Sequence, residues 1–338
     1  MDVEYAKKQY RTVGITVFVV AVALLIMRIV SYYVQVATMD VAMDEAWFEL
    51  LLDAVFTVPV QIGILLIFPF LMYKLSLKKS ARSVLEFSGY RKCSIWTCLL
   101  CIPLGLLIVG VSLCLSFIWQ IVLILFGYTP SSGGTTLPEQ FNAVYFILSV
   151  VLTAVLPAIC EEFTNRGGLL TVMRSSFSKK KTIFLIAIAF GLFHQFIGQV
   201  FYTAVFGALL AYLVLETQSI YPAMIVHFMN NFVSVLLDNA TTYNWAIGGG
   251  FYEFLDNNLV NGLGVLTSWL ALILLGVFGL LLAITSISRK KRQKDFYLEM
   301  NTSYKAAGYK VELKDNIFFI GAIVVCAVST LLTYIFGL

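Results

Sequence analysis

The sequence predicts an all-α fold: a polytopic membrane bundle of about nine transmembrane helices with a cytoplasmic N-terminus. Three observations carry that prediction. Hydrophobic residues make up 60% of the 338 and charged residues only 12%, with a mean hydropathy of +0.89. Apolar runs long enough to cross a bilayer recur along the whole chain. Basic residues crowd into alternate loops. No polar stretch is long enough to bury a core of its own, which excludes a separate soluble domain.

The apolar runs fall near 12–37, 47–75, 95–127, 142–173, 182–197, 199–216, 220–238, 259–288 and 315–337. The first has the basic start of a signal peptide. Arg28 and further apolar residues follow it where a small-residue cleavage site would stand, so it reads as a retained span. The third and fourth runs are long enough to tilt. Around a central stretch, 142–240, the chain divides into an N-terminal three-helix region, 1–141, and a C-terminal two-helix region, 241–338.

The charges orient these runs. Of the 23 lysines and arginines, 21 lie before the first run or in the loops after the second, fourth and eighth. The loops near 38–46, 128–141 and 239–258 hold none and carry Asp40, Asp44, Glu45 and Asp256. The excess of positive charge marks the cytoplasmic side. Arg28, late in the first run, is expected to snorkel to the outer interface. "SRKKRQK", Ser288 to Lys294, follows a span directly and reads as an anchor for anionic lipid, not as a nucleic-acid patch. The six cysteines sit in or beside apolar runs. Cys98 and Cys101 lack the second pair a zinc site would need and read as apolar filler.

Few polar residues enter the membrane, and they are informative. "PAICEEFTNR", Pro157 to Arg166, sets two carboxylates in an apolar run, where each costs about 2.5–3.5 kcal/mol on the most lenient insertion scale. Glu162 and Arg166 are four apart on one face, acid first, as an ion pair prefers. Glu161 points about 100° away and needs another partner. Pro157 lacks an N–H and frees the carbonyl of Thr153, while Gly167 and Gly168 are expected to loosen the far end. The chain's two histidines, His194 and His227, also fall inside apolar runs. His227, Asn230, Asn231, Ser234 and Asp238 make one polar stripe on a helix. With a rise of ~1.5 Å per residue, Glu161 and His194 each lie about 18 Å from the cytoplasmic end and His227 about 10 Å. The cost of burial argues that these groups meet. A purely structural ion pair between Glu162 and Arg166 remains open beside a role in a site.

These residues resemble the motifs of the CPBP family of intramembrane endopeptidases, which includes CAAX prenyl proteases and bacteriocin-processing (Abi) proteins. "EEFTNR" fits E-E-x-x-x-R, "FGLFH" fits F-x-x-x-H, and "HFMNN" fits H-x-x-x-N, in order, across roughly 142–240. The resemblance implies that Glu161 and His194 activate water, that His227 and Asn231 stabilise the oxyanion, and that Glu162 with Arg166 shapes the site. It also leaves a cofactor question. Glu161, His194 and His227 would be a chemically competent zinc set, yet there is no H-E-x-x-H, and metal-free activation of water by Glu161 and His194 is the favoured reading. Cys160 as a nucleophile is disfavoured, since it lies about 100° from Glu161 around the helix. A non-catalytic scaffold or regulator of the same fold, and a transporter with buried polar residues, stand as alternatives. The substrate implied is a peptide or membrane-associated protein. A bacterial plasma membrane suits the long basic loops.

Overall fold

The computed structural model describes residues 3–38, 44–128, 136–245, 259–290 and 309–336, with side chains at all of these except 259–269, 290 and 336. Every regular element among the described residues is helical. They are α1 (Val3–Ala37), α2 (Glu45–Ser76), the short α3 (Ala81–Phe87), α4 (Ile95–Leu125) and α5 (Ala143–Ser176), followed by α6 (Lys179–Phe193), α7 (Ile197–Thr217), α8 (Tyr221–Thr242), α9 (Leu259–Lys290) and α10 (Ile317–Phe336).

Each of the nine apolar runs thus forms a helix, but seven of them, among the described residues, are long and apolar enough to cross a membrane. The two that fall short are α6 and α8. α6 has 15 residues, about 22 Å at the usual rise and less than a hydrocarbon core. α8 carries the polar stripe, which lowers its apolarity. The predicted count of nine spans is therefore not matched, although the multi-pass membrane architecture is. Both short or polar helices hold histidines, so the shortfall marks where the bundle interior is polar. "SRKKRQK" from Lys291 onward, and the acids Asp40 and Asp256, lie outside the described residues.

Local sequence explains the helix starts. Asp44, Ser80 and Asn142 cap α2, α3 and α5 by accepting from the free first-turn amides of Trp47, Ser83, and Val144 with Tyr145. Two long helices are not uniform. α2 widens into a π-helical segment at Pro59–Ile67, and α5 does so at Val151–Val155 and Phe163–Leu169. Such wide turns tend to accompany functional sites. The two acids lie between the wide turns of α5, and the second of those faces that of α2: Thr164 Oγ1 donates to Leu65 O at 2.5 Å.

One apolar core runs through the bundle. It joins α1 (Tyr10, Val13, Val17), α5 (Phe163, Leu170), α6 and α7 (Ile186, Phe206, Leu210) and α10 (Phe319, Ala322, Cys326). α1 and α10 pack together through the edge-on rings of Tyr10 and Phe319, 5.0 Å apart. Gly167 and Gly168 do not loosen α5. A Cβ at Gly168 would lie 2.0 Å from the Tyr73 hydroxyl, and one at Gly167 2.9 Å from Ser88 Cβ. Their missing side chains let α5 seat tightly against α2 and the α3 end, so the expectation of a loose end is corrected to one of close packing.

Candidate active site

Glu162 is fully buried and Arg166 is 1% exposed. Arg166 Nη1 donates to Glu162 Oε1 at 2.8 Å, the i,i+4 pair the spacing predicts. Arg166 Nη2 donates to Gly207 O on α7 at 3.2 Å. Its guanidinium lies over the Phe190 ring, 4.2 Å from the centroid. The cation is therefore held on two sides and capped by an aromatic face, the environment in which a buried arginine is tolerated. A Cβ on Gly207 would meet Phe190 Cβ at 2.8 Å, so a glycine is what allows α7 to approach this closely.

The same Glu162 oxygen accepts from His227 Nδ1 at 2.9 Å. One carboxylate oxygen thus bridges Arg166 on its own helix and His227 on α8. With Nδ1 turned to Glu162, the Nε2 of His227 is the ring nitrogen left for other contacts. One turn further along α8, Asn231 Nδ2 donates to Thr153 O at 2.9 Å. Its Oδ1 accepts from Asn230 Nδ2 at 3.0 Å, and Asn230 Oδ1 accepts in turn from Ser112 of α4 at 3.3 Å. The predicted stripe therefore divides. His227 and Asn231 face α5, while Ser234 donates to the Asn230 carbonyl of its own helix.

His194 ends α6 in a tight turn before α7. Its Nδ1 is 2.8 Å from Phe190 O. A carbonyl oxygen only accepts, so Nδ1 carries the proton and Nε2 of the neutral ring bears the lone pair. Phe190 is the common neighbour: its ring is edge-on to both histidines, 5.0 Å from His194 and 5.9 Å from His227. The turn is tied down by remote helices. Gln195, at φ 49°, donates to Ala21 O of α1 at 3.1 Å and accepts from Ser329 of α10 at 2.9 Å. Arg28 Nη1 donates to His194 O at 3.4 Å, with its guanidinium over Phe196. Arg28 thus has an acceptor at the end of α6 and an aromatic face beside it.

Glu161 stands on another face of α5 from Glu162. Gln61 Nε2, from the wide turn of α2, donates to Glu161 Oε1 at 2.9 Å, and Glu161 lies within electrostatic reach of His194. Its backbone carbonyl accepts from Asn165 Nδ2 at 3.0 Å. Cys160 turns away and packs with Val20 and Leu65. A carboxylate, a bare imidazole nitrogen, a second imidazole and an amide therefore line one region from α5, α6 and α8.

The profile of the type II CAAX prenyl endopeptidase Rce1-like family matches residues 143–233, the segment from the start of α5 to just past Asn231. Over this segment the match supports a CAAX-type intramembrane protease of the CPBP family. No curated protein and no solved structure matches the chain. The protease segment supplies all the residues singled out by the three motifs. The seven spanning-type helices among the described residues make the protein an integral, multi-pass membrane protein.

Among the described residues no three of His, Cys, Asp and Glu come together as metal ligands. No step below passes through a metal. Sequence reading missed Gln61, the Phe190 ring and carbonyl, Gly207 and the Gln195 anchor. Gln61 had a signal, as a lone amide in the apolar run "PVQIGILLIF". The Phe190 carbonyl had none, because any residue there would supply it.

Proposed function

We propose that this protease hydrolyses a peptide bond of a peptide or membrane-associated protein by a metal-free route in which Glu161 and His194 activate water. The observation that carries the reading is the sorting of four polar groups into two pairs. Glu161 and the unprotonated Nε2 of His194 are acceptors, suited to holding a water and taking its proton. His227 and Asn231 are donors: a proton on His227 Nε2 and the second N–H of Asn231 Nδ2 suit an oxygen that becomes negative. Glu162 supports the donor pair by holding the His227 ring through Nδ1, and Arg166 in turn holds that carboxylate in place.

The steps follow. Water bound between Glu161 and His194 attacks the scissile carbonyl carbon as Glu161 accepts a proton. The carbonyl oxygen becomes the oxyanion and receives hydrogen bonds from His227 and Asn231. The tetrahedral intermediate collapses as the C–N bond breaks, and the proton held by Glu161 passes to the leaving amine. Glu161 is regenerated, and the acid product carries the water's oxygen. A prenylated C-terminal C-a-a-X sequence is the substrate class named by the matching family. The test compares membranes carrying wild type with Glu161→Ala and His194→Ala. Peptides whose C-termini change in the wild type alone are expected, and wild-type processing by either variant overturns the reading.

A further inference from the structure

Gln61 lies outside both the matched segment and the three motifs, on the wide turn of α2. It is 7% exposed. Its Nε2 donates to Glu161 Oε1 at 2.9 Å, while its own Oε1 is buried with no hydrogen-bond partner among the described residues. An amide oxygen left without a partner in such a place is costly, because the desolvation of a buried acceptor is uncompensated. The cost calls for an explanation, and the neighbouring carboxylate supplies one. Turning Nε2 onto Glu161 Oε1 is what leaves the amide oxygen without a donor, so the orphan acceptor marks a side chain oriented to hold that carboxylate.

The local backbone supports this. α2 would present Gln61 differently as a regular helix, since a π-helical turn changes the angular position of the residues that follow it. Pro59 opens that segment, and Leu65 O at its far end accepts from Thr164 Oγ1 of α5. The wide turn of α2 thus packs against the turn of α5 that follows the two acids.

We propose that Gln61 is a positioning residue for the hydrolytic reaction: its Nε2 fixes the rotamer of Glu161, so that the carboxylate is aimed at the water it holds with His194. Gln61 neither gains nor loses a proton; the water's proton goes to Glu161 as before. The inference rests on the water-activating role assigned to Glu161 above.

The test uses full-length protein in lipid vesicles and a farnesylated fluorogenic peptide ending in a C-a-a-X sequence. Gln61→Met keeps the side chain's length and removes both polar atoms. It is expected to lower kcat about 10²-fold, the scale of a misdirected reactant, with KM within twofold of wild type. Thr164→Val removes the other α2–α5 hydrogen bond without touching Glu161. It is expected to lower the melting temperature in detergent while leaving kcat within twofold, which separates helix packing from positioning. Gln61→Glu, measured alongside, keeps the acceptor but loses the donor and is also expected to lower kcat at least tenfold. Wild-type kcat in either Gln61 variant, or a loss confined to KM, overturns the inference. Glu161→Ala in the same assay separates the two levels. If Glu161→Ala cleaves normally, the peptidase reading itself falls, as it does for this substrate class if wild type does not cut the peptide. If Glu161→Ala is inactive and Gln61→Met is not impaired, only the role of Gln61 falls.

Discussion

Asn231 of α8 donates from Nδ2 to the carbonyl of Thr153 on α5, the group that Pro157 leaves without its usual intrahelical donor. The arrangement occurs twice. Pro69 likewise cannot donate to Leu65 O, and Thr164 of α5 donates to it. In lipid a freed carbonyl must be satisfied from within the protein. Here each proline creates a socket in one helix, and a polar side chain of a neighbouring helix fills it. The kink that a proline imposes and the docking of the next helix are thus one event, and in the first case the docked residue is an assigned oxyanion donor.

This relationship makes the effect of Pro157→Ala specific. An alanine restores the N–H, which competes with Asn231 for Thr153 O. The helix should become more regular and the protein at least as thermally stable, while kcat falls because Asn231 loses the partner that orients it. Asn231→Ala should go further, lowering kcat about 10²–10³-fold, the usual loss for an oxyanion donor. Cleavage rates and detergent melting curves on the same preparations check both, and a Pro157→Ala protein with unaltered kcat would sever the link between socket and site.

Arg166 and Glu161 should fail in different ways. Removing Arg166 leaves Glu162 buried, with His227 as its remaining partner, and breaking a buried ion pair from one side costs about 3–5 kcal/mol. Arg166→Ala is expected to accumulate poorly or melt early. Arg166→Lys should not rescue it, because a single ammonium lacks the fork that reaches both Glu162 Oε1 and Gly207 O. Glu161 is only half-buried and its bond is to a neutral amide, so Glu161→Gln should fold normally and be inactive. Expression level, melting temperature and cleavage for the three variants test the contrast.

Much of this was legible in the residues. The membrane bundle follows from hydropathy alone, and the pairing of Glu162 with Arg166 follows from a spacing of four. The convergence of α5, α6 and α8 follows from the cost of burying their polar groups. The bridge from Glu162 to His227 was not legible, because nothing in the spacing says which acid a distant histidine meets. Nor were the wide turns of α2 and α5, since hydrophobic period does not distinguish π from α over so few residues. Gly167 and Gly168 misled for a related reason: a glycine pair in a sequence reads as freedom, whereas in a packed helix it marks where another side chain comes close.

Metal dependence can be tested directly. Among the described residues no three potential ligands come together, and the proposed route uses Glu161 and His194 without a metal. Cleavage is therefore expected to persist after dialysis against EDTA or 1,10-phenanthroline, and metal analysis of the purified protein should find less than one equivalent of zinc. Loss of cleavage on chelation with recovery on adding zinc would reverse the assignment of Glu161 and His194 as a metal-free pair.

The final prediction concerns the helices outside the matched segment. The turn that carries His194 is held by Gln195, which reaches Ala21 O of α1 and Ser329 of α10, by Arg28 of α1 on the His194 carbonyl, and by Thr333 of α10, whose Oγ1 accepts from Ile197 N at 3.0 Å. The ring of His194 is held from its own short helix, through Phe190 O, and so depends on its turn for its placement. A turn with a non-glycine residue at positive φ is also costly enough to need outside support. Gln195→Ala should therefore lower kcat about tenfold or more, through misplacement of the Nε2 of His194. Arg28→Gln, which keeps a donor but loses the stacked guanidinium, should produce a smaller loss. Neither residue is one of the proposed water-activating or oxyanion groups, so KM should stay near wild type in both. A rise in KM with kcat intact would place α1 and α10 in substrate binding instead, and full activity in Gln195→Ala would show that α6 alone orients its histidine.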